Sequence, residues 1–245
     1  MKNLQREILT EVASGTMSPE EGAARLEALE AEAATPGVPT APGSAVKAVK
    51  IVSRFGNTEV IGDPSVTYAV AEGPHGARQD GDTLLINQSP LDDDTIFAFS
   101  RSRGRSIPGF DIGRKLTVRV NPSLPLSVSV QAGNLSIKGL RGAVTADVKA
   151  GSCQITEFRG PLQLSVTAGN VSASGRLDGG TSAIRCKMGE VRVALAKTSS
   201  VRINARTTLG EIAIEGDTVN DRTVGSGAGI LDIDCLMGDV RVEVR

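Results

Sequence analysis

The 245-residue sequence has few of the aromatic side chains that commonly recognise sugars and nucleobases. It contains no tryptophan, one tyrosine and five phenylalanines. Aromatic rings are the usual stacking platforms for single-stranded bases, and β-helix enzymes that cleave polysaccharides also use them to hold sugar. Their scarcity therefore argues against both classes of protein.

Strong charge and long apolar runs are also missing. The formal net charge is −1 at pH 7, which provides no overall attraction to nucleic acid or anionic lipid. No run approaches the roughly 20 apolar residues of a membrane span, and the start "MKNLQREILTEVASG" lacks the apolar region of a signal peptide. Three cysteines in such a sequence predict no disulfides. We expect a cytoplasmic protein, with peripheral contact at the inner face of the membrane as an additional option.

Motifs that carry chemistry are equally scarce. The sequence has no G-x-S-x-G, no Walker loop and no Cys-x-x-Cys. His75 lies in the turn-rich stretch "EGPHGARQDGD" without companion ligands, so we expect an exposed loop histidine. We therefore predict a non-enzymatic protein without catalytic residues, bound cofactor or metal.

Glycine, in contrast, is abundant, and six glycines stand at the same place in a repeat. The copies read "VQAGNLSI", "VKAGSCQI", "VTAGNVSA", "CKMGEVRV", "TTLGEIAI" and "CLMGDVRV", with the glycines Gly133, Gly151, Gly169, Gly189, Gly210 and Gly238. Mostly apolar residues stand five and three positions before each glycine and two and four after it. This alternation breaks at the glycine, which predicts a bend or bulge that keeps the strands on both sides facing one core.

The period of about 20 residues, with one apolar face per copy, is typical of a solenoid. We predict a mainly β protein, a single-stranded β-solenoid (β-helix) with rungs of about 18–21 residues. An antiparallel sandwich is the alternative, but like residues at like places favour parallel stacking. The stretch "GDTVNDRTVGSGAG" before the last copy is expected to form an outward loop. An upstream echo around Gly56, "IVSRFGNTEVIG", predicts a degenerate rung and a candidate cap.

The rest of the chain divides into two shorter parts. Residues 1–33 predict a two-helix hairpin, with an apolar face in the first helix and a capping box at Ser18 in the second. Residues 34–44, "ATPGVPTAPGS", predict a linker, and residues 45–245 form the solenoid. A hairpin this short buries little core alone. We therefore expect it to dock on the rest of the chain, on a second copy or on a partner.

These features resemble a large bacterial family of unknown function, labelled "putative adhesin", whose β-solenoid is also called the Toastrack domain. The resemblance rests on the glycine rungs that follow "LTVRVNPSLPLSVSVQAGNLSIKGL" and covers about residues 45–245. The stretch "ILTEVASGTMSPEEGAARLEALE" resembles the SHOCT-like bihelical segment that often precedes such solenoids. The combination implies a role in bacterial cell-envelope stress signalling beside membrane proteins, and it implies no catalysis.

Two sets of residues in the repeat could carry more than packing. Cys153, Cys186 and Cys235 occupy inward positions, where we expect them to fill the core; metal or redox work is the alternative. Stacking in chain order would put Thr207 between the last two cysteines.

The residue after the glycine is acidic in the last three copies, as Glu190, Glu211 and Asp239. Stacked rungs would align these carboxylates in one column, where like charges repel. Arg192 and Arg241 stand two residues further on and could neutralise them; a divalent cation is the alternative.

One stretch, "TIFAFSRSRGRSIPGFDIGRK" at 95–115, combines apolar rings with positive charge. Its candidate interaction residues are Phe97, Phe99, Arg101, Arg103, Arg105, Phe110, Arg114 and Lys115. Basic residues interleaved with apolar ones suit an anionic membrane surface or an acidic partner. The alternative is a hairpin with its rings inward and its arginines in solvent. No nucleic-acid motif accompanies the stretch, so nucleic acid is not expected.

The leading functional hypothesis is a non-enzymatic scaffold whose partners are proteins, including membrane-associated stress-response proteins. The alternatives are an adhesin-like or glycan-binding protein and, third, a polysaccharide-active enzyme. The last copy, "CLMGDVRVEVR", runs to Arg245, so chain-order stacking predicts an open edge beside Val240 and Val242. Such an edge favours self-association end to end or a cover by the helices.

Overall fold

The computed structural model describes residues 45–88, 115–216, 219–220 and 222–245. The predictions for residues 1–33 and 34–44 lie outside these ranges. The described ranges contain strands and turns but no helix, so the prediction of a mainly β chain is confirmed for them.

Twenty strands follow one another along the described chain. The first ten are β1 (Ala48–Phe55), β2 (Asn57–Gly62), β3 (Ala69–Glu72), β4 (Gly76–Asp80), β5 (Thr83–Gln88), β6 (Lys115–Val120), β7 (Leu126–Ala132), β8 (Leu135–Lys138), β9 (Val144–Ala150) and β10 (Cys153–Phe158). The others are β11 (Leu162–Ala168), β12 (Val171–Gly175), β13 (Thr181–Met188), β14 (Val191–Leu195), β15 (Val201–Leu209), β16 (Ile212–Glu215), β17 (Val219–Asn220), β18 (Thr223–Val224), β19 (Gly229–Met237) and β20 (Val240–Val244).

The strands form two sheets, and consecutive strands alternate between the sheets over most of the chain. The first sheet has the order β17-β18-β15-β19-β13-β11-β9-β7-β1-β5-β4, and the second has β16-β20-β14-β12-β10-β8-β2-β6-β3. A strand of the first sheet and the next strand, in the second sheet, form one rung joined at a glycine corner. Neighbouring rungs pair in parallel, as between β7 and β9 and between β8 and β10. The structure is therefore a stack of β-solenoid rungs.

The core lies between the two sheets and is built from the predicted inward columns. Val128, Ala146, Leu164, Ile184 and Ile233 stand five positions before their glycines, and all are buried. The register places Val128 beside Ala146, so the repeat aligns like positions on neighbouring rungs. Apolar burial along such a continuous column is what lets rungs that are unstable alone stabilise one another.

The stacking order departs from the chain order at one end of the solenoid. Strand β19 lies between β13 and β15, and β20 lies between β14 and β16. The rung of Gly238, last in the chain, is therefore internal, and the rung of Gly210 is terminal. The prediction of an open edge on the last copy, beside Val240 and Val242, is wrong because β16 pairs with β20.

The segment before the last rung makes this inversion possible. It was predicted to be an outward loop, but it contains β17 and β18. Strand β18 pairs antiparallel with the outer edge of β15, with Val201 opposite Val224. After β18 the chain therefore returns past β15, and β19 lies between β15 and β13.

The opposite end also differs from a simple stack. The predicted degenerate rung at Gly56 exists as β1 and β2, but it is not the cap. Strand β5 pairs in parallel with β1, β6 pairs in parallel with β2, and β4 and β3 add antiparallel edges outside them. The polar Ser53 and Thr58 are buried, and their hydroxyls donate to Gln88 Oε1 at 2.6 and 3.5 Å. The rung is degenerate because its polar side chains bond to those of the neighbouring strand.

The glycine corners are required by both backbone conformation and space. All six repeat glycines and Gly56 have φ between 112° and 142°, a region that L side chains rarely adopt. A Cβ built on Gly151 would overlap the carbonyl oxygen of Gly133 on the neighbouring rung. The Gly151 N–H donates to the Ala168 carbonyl at 3.0 Å. The backbone therefore stacks at the corner without room for a side chain.

Candidate interaction surface

The basic and aromatic stretch at 95–115 lies outside the described residues, except for Lys115. That residue begins β6, and its Nζ forms an ion pair with Glu59 Oε2 at 2.6 Å. The role predicted for the other seven candidate residues, from Phe97 to Arg114, stays a prediction.

The cysteines fill the core, as the repeat predicts. Cys153, Cys186 and Cys235 are free and buried. Burial raises the pKa of the Cys153 thiol to about 12 and that of the Cys186 thiol to about 11. The expectation that Thr207 separates Cys186 from Cys235 is wrong, because the inverted rung order makes these two cysteines direct neighbours.

The residues after the corner glycines form a ladder of side-chain to backbone hydrogen bonds. The Glu190 N–H donates to Asn170 Oδ1 at 3.1 Å, and the Glu211 N–H donates to Asp239 Oδ1 at 2.9 Å. Arg192 Nε donates to Glu190 Oε1 at 2.7 Å, as predicted. In the described residues, no ion pair joins Arg241 to a carboxylate.

The same ladder settles the order of the acidic column, which runs Glu190, Asp239 and Glu211. No group of three metal-ligating side chains occurs in the part of the chain that the structure describes. The partly buried His75 has its Nδ1 2.7 Å from the Gly73 carbonyl oxygen, within its own turn.

The terminal rung leaves one edge of the second sheet open. Among the described strands, none pairs with the outer side of β16. Ile212 occupies the same column as Val240 in β20, yet Ile212 is 36% exposed and Val240 only 1%. The apolar core is thus uncovered at this end.

Large apolar side chains are exposed on the three rungs at this end of the solenoid. Met188, Met237 and Leu209 occupy one column immediately before the corner glycines of three adjacent rungs. All three are exposed, Leu209 by 62%, and Leu236 beside them is exposed by 50%. These four residues and Ile212 form what we call the terminal apolar surface.

Sequence reasoning missed this surface for a definite reason. The same column holds Ala132, Ala150 and Ala168 in earlier rungs. The repeat therefore does not predict large apolar side chains at this position. Chain-order stacking would also have put Leu209 between the two methionines, inside the stack. The signal that was present is the enlargement from alanine to methionine and leucine in the last three copies.

Over the residues that the structure describes, the stacked rungs form a parallel two-sheet β-solenoid in which the last rung of the sequence is internal. No family model matches the sequence, and no curated protein matches it. Among solved structures, it is similar to a putative cell adhesion protein from Clostridium sporogenes ATCC 15579, at 15% identity and a TM-score of 0.43. That match covers 82% of this chain and 94% of the other. Within the described ranges, no helix has the length and hydropathy of a membrane span.

Proposed function

We propose that this protein is a non-enzymatic interaction scaffold that self-associates through its terminal apolar surface. The observation that carries the proposal is the conjunction of an open β16 edge with five exposed large apolar side chains. Open strand edges pair readily with other chains, and homodimer interfaces are more apolar than ordinary protein surface. A second copy is the occupant to which we commit.

The geometry of β16 favours a twofold arrangement. The Val240 N–H donates to the Glu211 carbonyl at 2.9 Å, so in a parallel ladder the backbone groups of Glu211 and Ala213 face β20. Those of Ile212 and Ile214 then face outward. Antiparallel pairing about a twofold axis perpendicular to the sheet keeps the inward face of each copy on the same side. Ile212 and Ile214 of one copy would then extend the core of the other.

The resemblance of the sequence supplies the biological setting of this proposal. A SHOCT-like segment before a Toastrack-like solenoid implies envelope stress signalling, with membrane-associated proteins as partners. A rod with one associating end would hold two amino-terminal segments in a single assembly and so present them together to such partners. We propose this arrangement as the scaffold's mode of action.

Sedimentation velocity of the full chain over a range of concentrations tests the proposal. We expect a dimer that dissociates on dilution, and we expect Leu209→Lys combined with Ile212→Lys to give a monomer. Both residues lie on the terminal rung, where added charge opposes edge pairing, and a melting curve of the variant establishes that this rung still folds.

Ile230→Lys is the matched control, because Ile230 is also exposed, by 41%, but is the second residue of β19, at the end away from the glycine corner. It should leave the dimer intact. An unaltered monomer at all concentrations, or a dimer that survives the double substitution, would contradict the proposal.

A further inference from the structure

A column of arginines follows the strands of the second sheet at the corner opposite the glycines. The Arg159 N–H donates to the Leu140 carbonyl at 3.0 Å, and the Arg176 N–H donates to the Phe158 carbonyl at 2.9 Å. These bonds place Arg141, Arg159 and Arg176 at equivalent positions of three adjacent rungs. The Arg245 N–H bonds to the Leu195 carbonyl at 2.9 Å in the same pattern. Arg245 therefore occupies the same column on the inverted rung.

These four arginines line a groove of about 740 Å³ that runs across the rungs. Two glycines, Gly139 and Gly175, form part of its wall. A Cβ added to Gly175 would overlap Phe158, whereas a Cβ added to Gly139 would meet no atom closer than 3.7 Å. Neighbouring rungs are about 4.8 Å apart, so the backbones of Arg141, Arg159 and Arg176 recur at about that spacing, while Ala196 occupies the column between Arg176 and Arg245. A groove with charge repeated along its length suits a linear ligand rather than a compact one.

The charge in the groove is only partly compensated. Arg176 Nε donates to Asp178 Oδ1 at 2.6 Å, and Arg245 pairs with Glu243. Arg141 and Arg159 are exposed and form no ion pair with a carboxylate of the described residues.

One side-chain carboxylate lines the groove itself. Glu157 pairs with Lys138 Nζ at 3.5 Å, so a cation outside the arginine column already offsets its charge. Two adjacent guanidinium groups, those of Arg141 and Arg159, are thus available to an anion.

We propose that this groove binds a linear polymer through its phosphate groups. A guanidinium presents a planar fork of donors that matches phosphate oxygens. A carboxylate is satisfied by one fork, whereas a phosphate with several acceptor oxygens can bridge two forks on adjacent rungs. The near absence of aromatic side chains makes recognition through bases or sugar rings less fitting. The concave shape fits a chain better than the flat surface of a bilayer.

Binding of fluorescent inorganic polyphosphate to the full-length protein, followed by anisotropy at two salt concentrations, tests the proposal. We expect affinity to rise from orthophosphate through pyrophosphate to long polyphosphate, and to fall with salt. Arg141→Gln combined with Arg159→Gln should weaken binding of the long chain about tenfold. Arg185→Gln combined with Arg202→Gln removes two exposed charges elsewhere and should change the affinity less than twofold.

Three results would overturn the proposal. The first is equal affinity of both double variants, which would mean binding to net charge alone. The second is equal or tighter binding of poly-glutamate, which would assign the groove to acidic polypeptides. The third is preference for phosphatidylglycerol vesicles over polyphosphate, which would assign it to a membrane surface. Melting curves of each variant establish that the proteins compared are folded.

Discussion

Cys186 and Cys235 lie side by side on adjacent parallel strands, β13 and β19, with Thr207 on the far side of Cys235. Each thiol donates a weak hydrogen bond to the corner glycine of the rung behind it, Cys186 to Gly169 at 3.7 Å and Cys235 to Gly189 at 3.6 Å. Because the rung of Cys235 lies between those of Cys186 and Thr207, the rung that carries Leu209 and Ile212 is the terminal one.

The first prediction concerns the glycine corners. Gly151→Val should lower the free energy of unfolding by about 3 kcal/mol or more, because it combines a left-handed backbone with overlap against Gly133. Gly81→Ala separates the two causes, since Gly81 has φ of 58° but nothing within 4 Å of an added Cβ. It should cost about 1–2 kcal/mol. Equal losses in urea unfolding would show that crowding at the corner is unimportant.

Features of the fold that depend on residues within one copy could be predicted from the sequence, whereas features that depend on pairing between distant copies could not. The rung, its glycine corner and its inward positions can be predicted from the sequence of a single copy. One copy is enough to assign Gly151 to the corner and Val148 to the core. Stacking order is different, because the columns accept any copy as neighbour. Val193 fits Val242 as well as it would fit Ile214. The inversion depends on β17 and β18 covering β15. Whether they do so is decided by the relative stability of alternative strand pairings, and the sequence of one copy does not contain that information.

The arginine groove escaped sequence reasoning for a related reason. Arg141 and Arg159 stand eight positions after their glycines, whereas Arg176 and Arg245 stand seven positions after theirs, and the pairing of β10 with β12 shifts register between Thr156 and Phe158. The arginines form one column only when backbone pairing aligns them.

A second prediction concerns the ladder of side chains beside the corners. Asn170→Ala leaves the Glu190 N–H without its acceptor at an exposed site and should cost about 1 kcal/mol. Ser172→Ala changes an exposed polar side chain two residues further along β12 and should be nearly neutral. Equal melting temperatures for the two variants would show that the ladder does not stabilise the stack.

The third prediction concerns access to the thiols. Cys153, Cys186 and Cys235 should resist a thiol reagent in the native protein and react fully in urea, because their side chains are buried. The reaction can be followed by absorbance. Rapid labelling of all three without denaturant would contradict the inward columns.

The fourth prediction is a loss of stability at alkaline pH. The folded pKa of Cys153, about 12, lies above its ordinary value of 9.0 because burial disfavours the thiolate. The stabilisation from the protonated thiol is therefore complete below pH 9 and is lost as the pH rises through 12. At pH 10 the advantage of the native chain over Cys153→Ala should shrink by about 1 kcal/mol relative to pH 7. Lysine and tyrosine titration is common to both proteins, so an unchanged difference would show that Cys153 is not desolvated.

The most direct test of the inverted stacking order is a pair of distances between spin labels. Gln131, Leu236 and Thr208 occupy one outward column and are exposed, so labels there leave the core intact. From Gln131, four rung steps lead to Leu236 and five to Thr208, or about 19 and 24 Å at 4.8 Å per step. Pulsed electron paramagnetic resonance should therefore give a distance to Leu236 shorter by about 5 Å than that to Thr208. A shorter distance to Thr208 would restore chain-order stacking and contradict both the inversion and the terminal apolar surface.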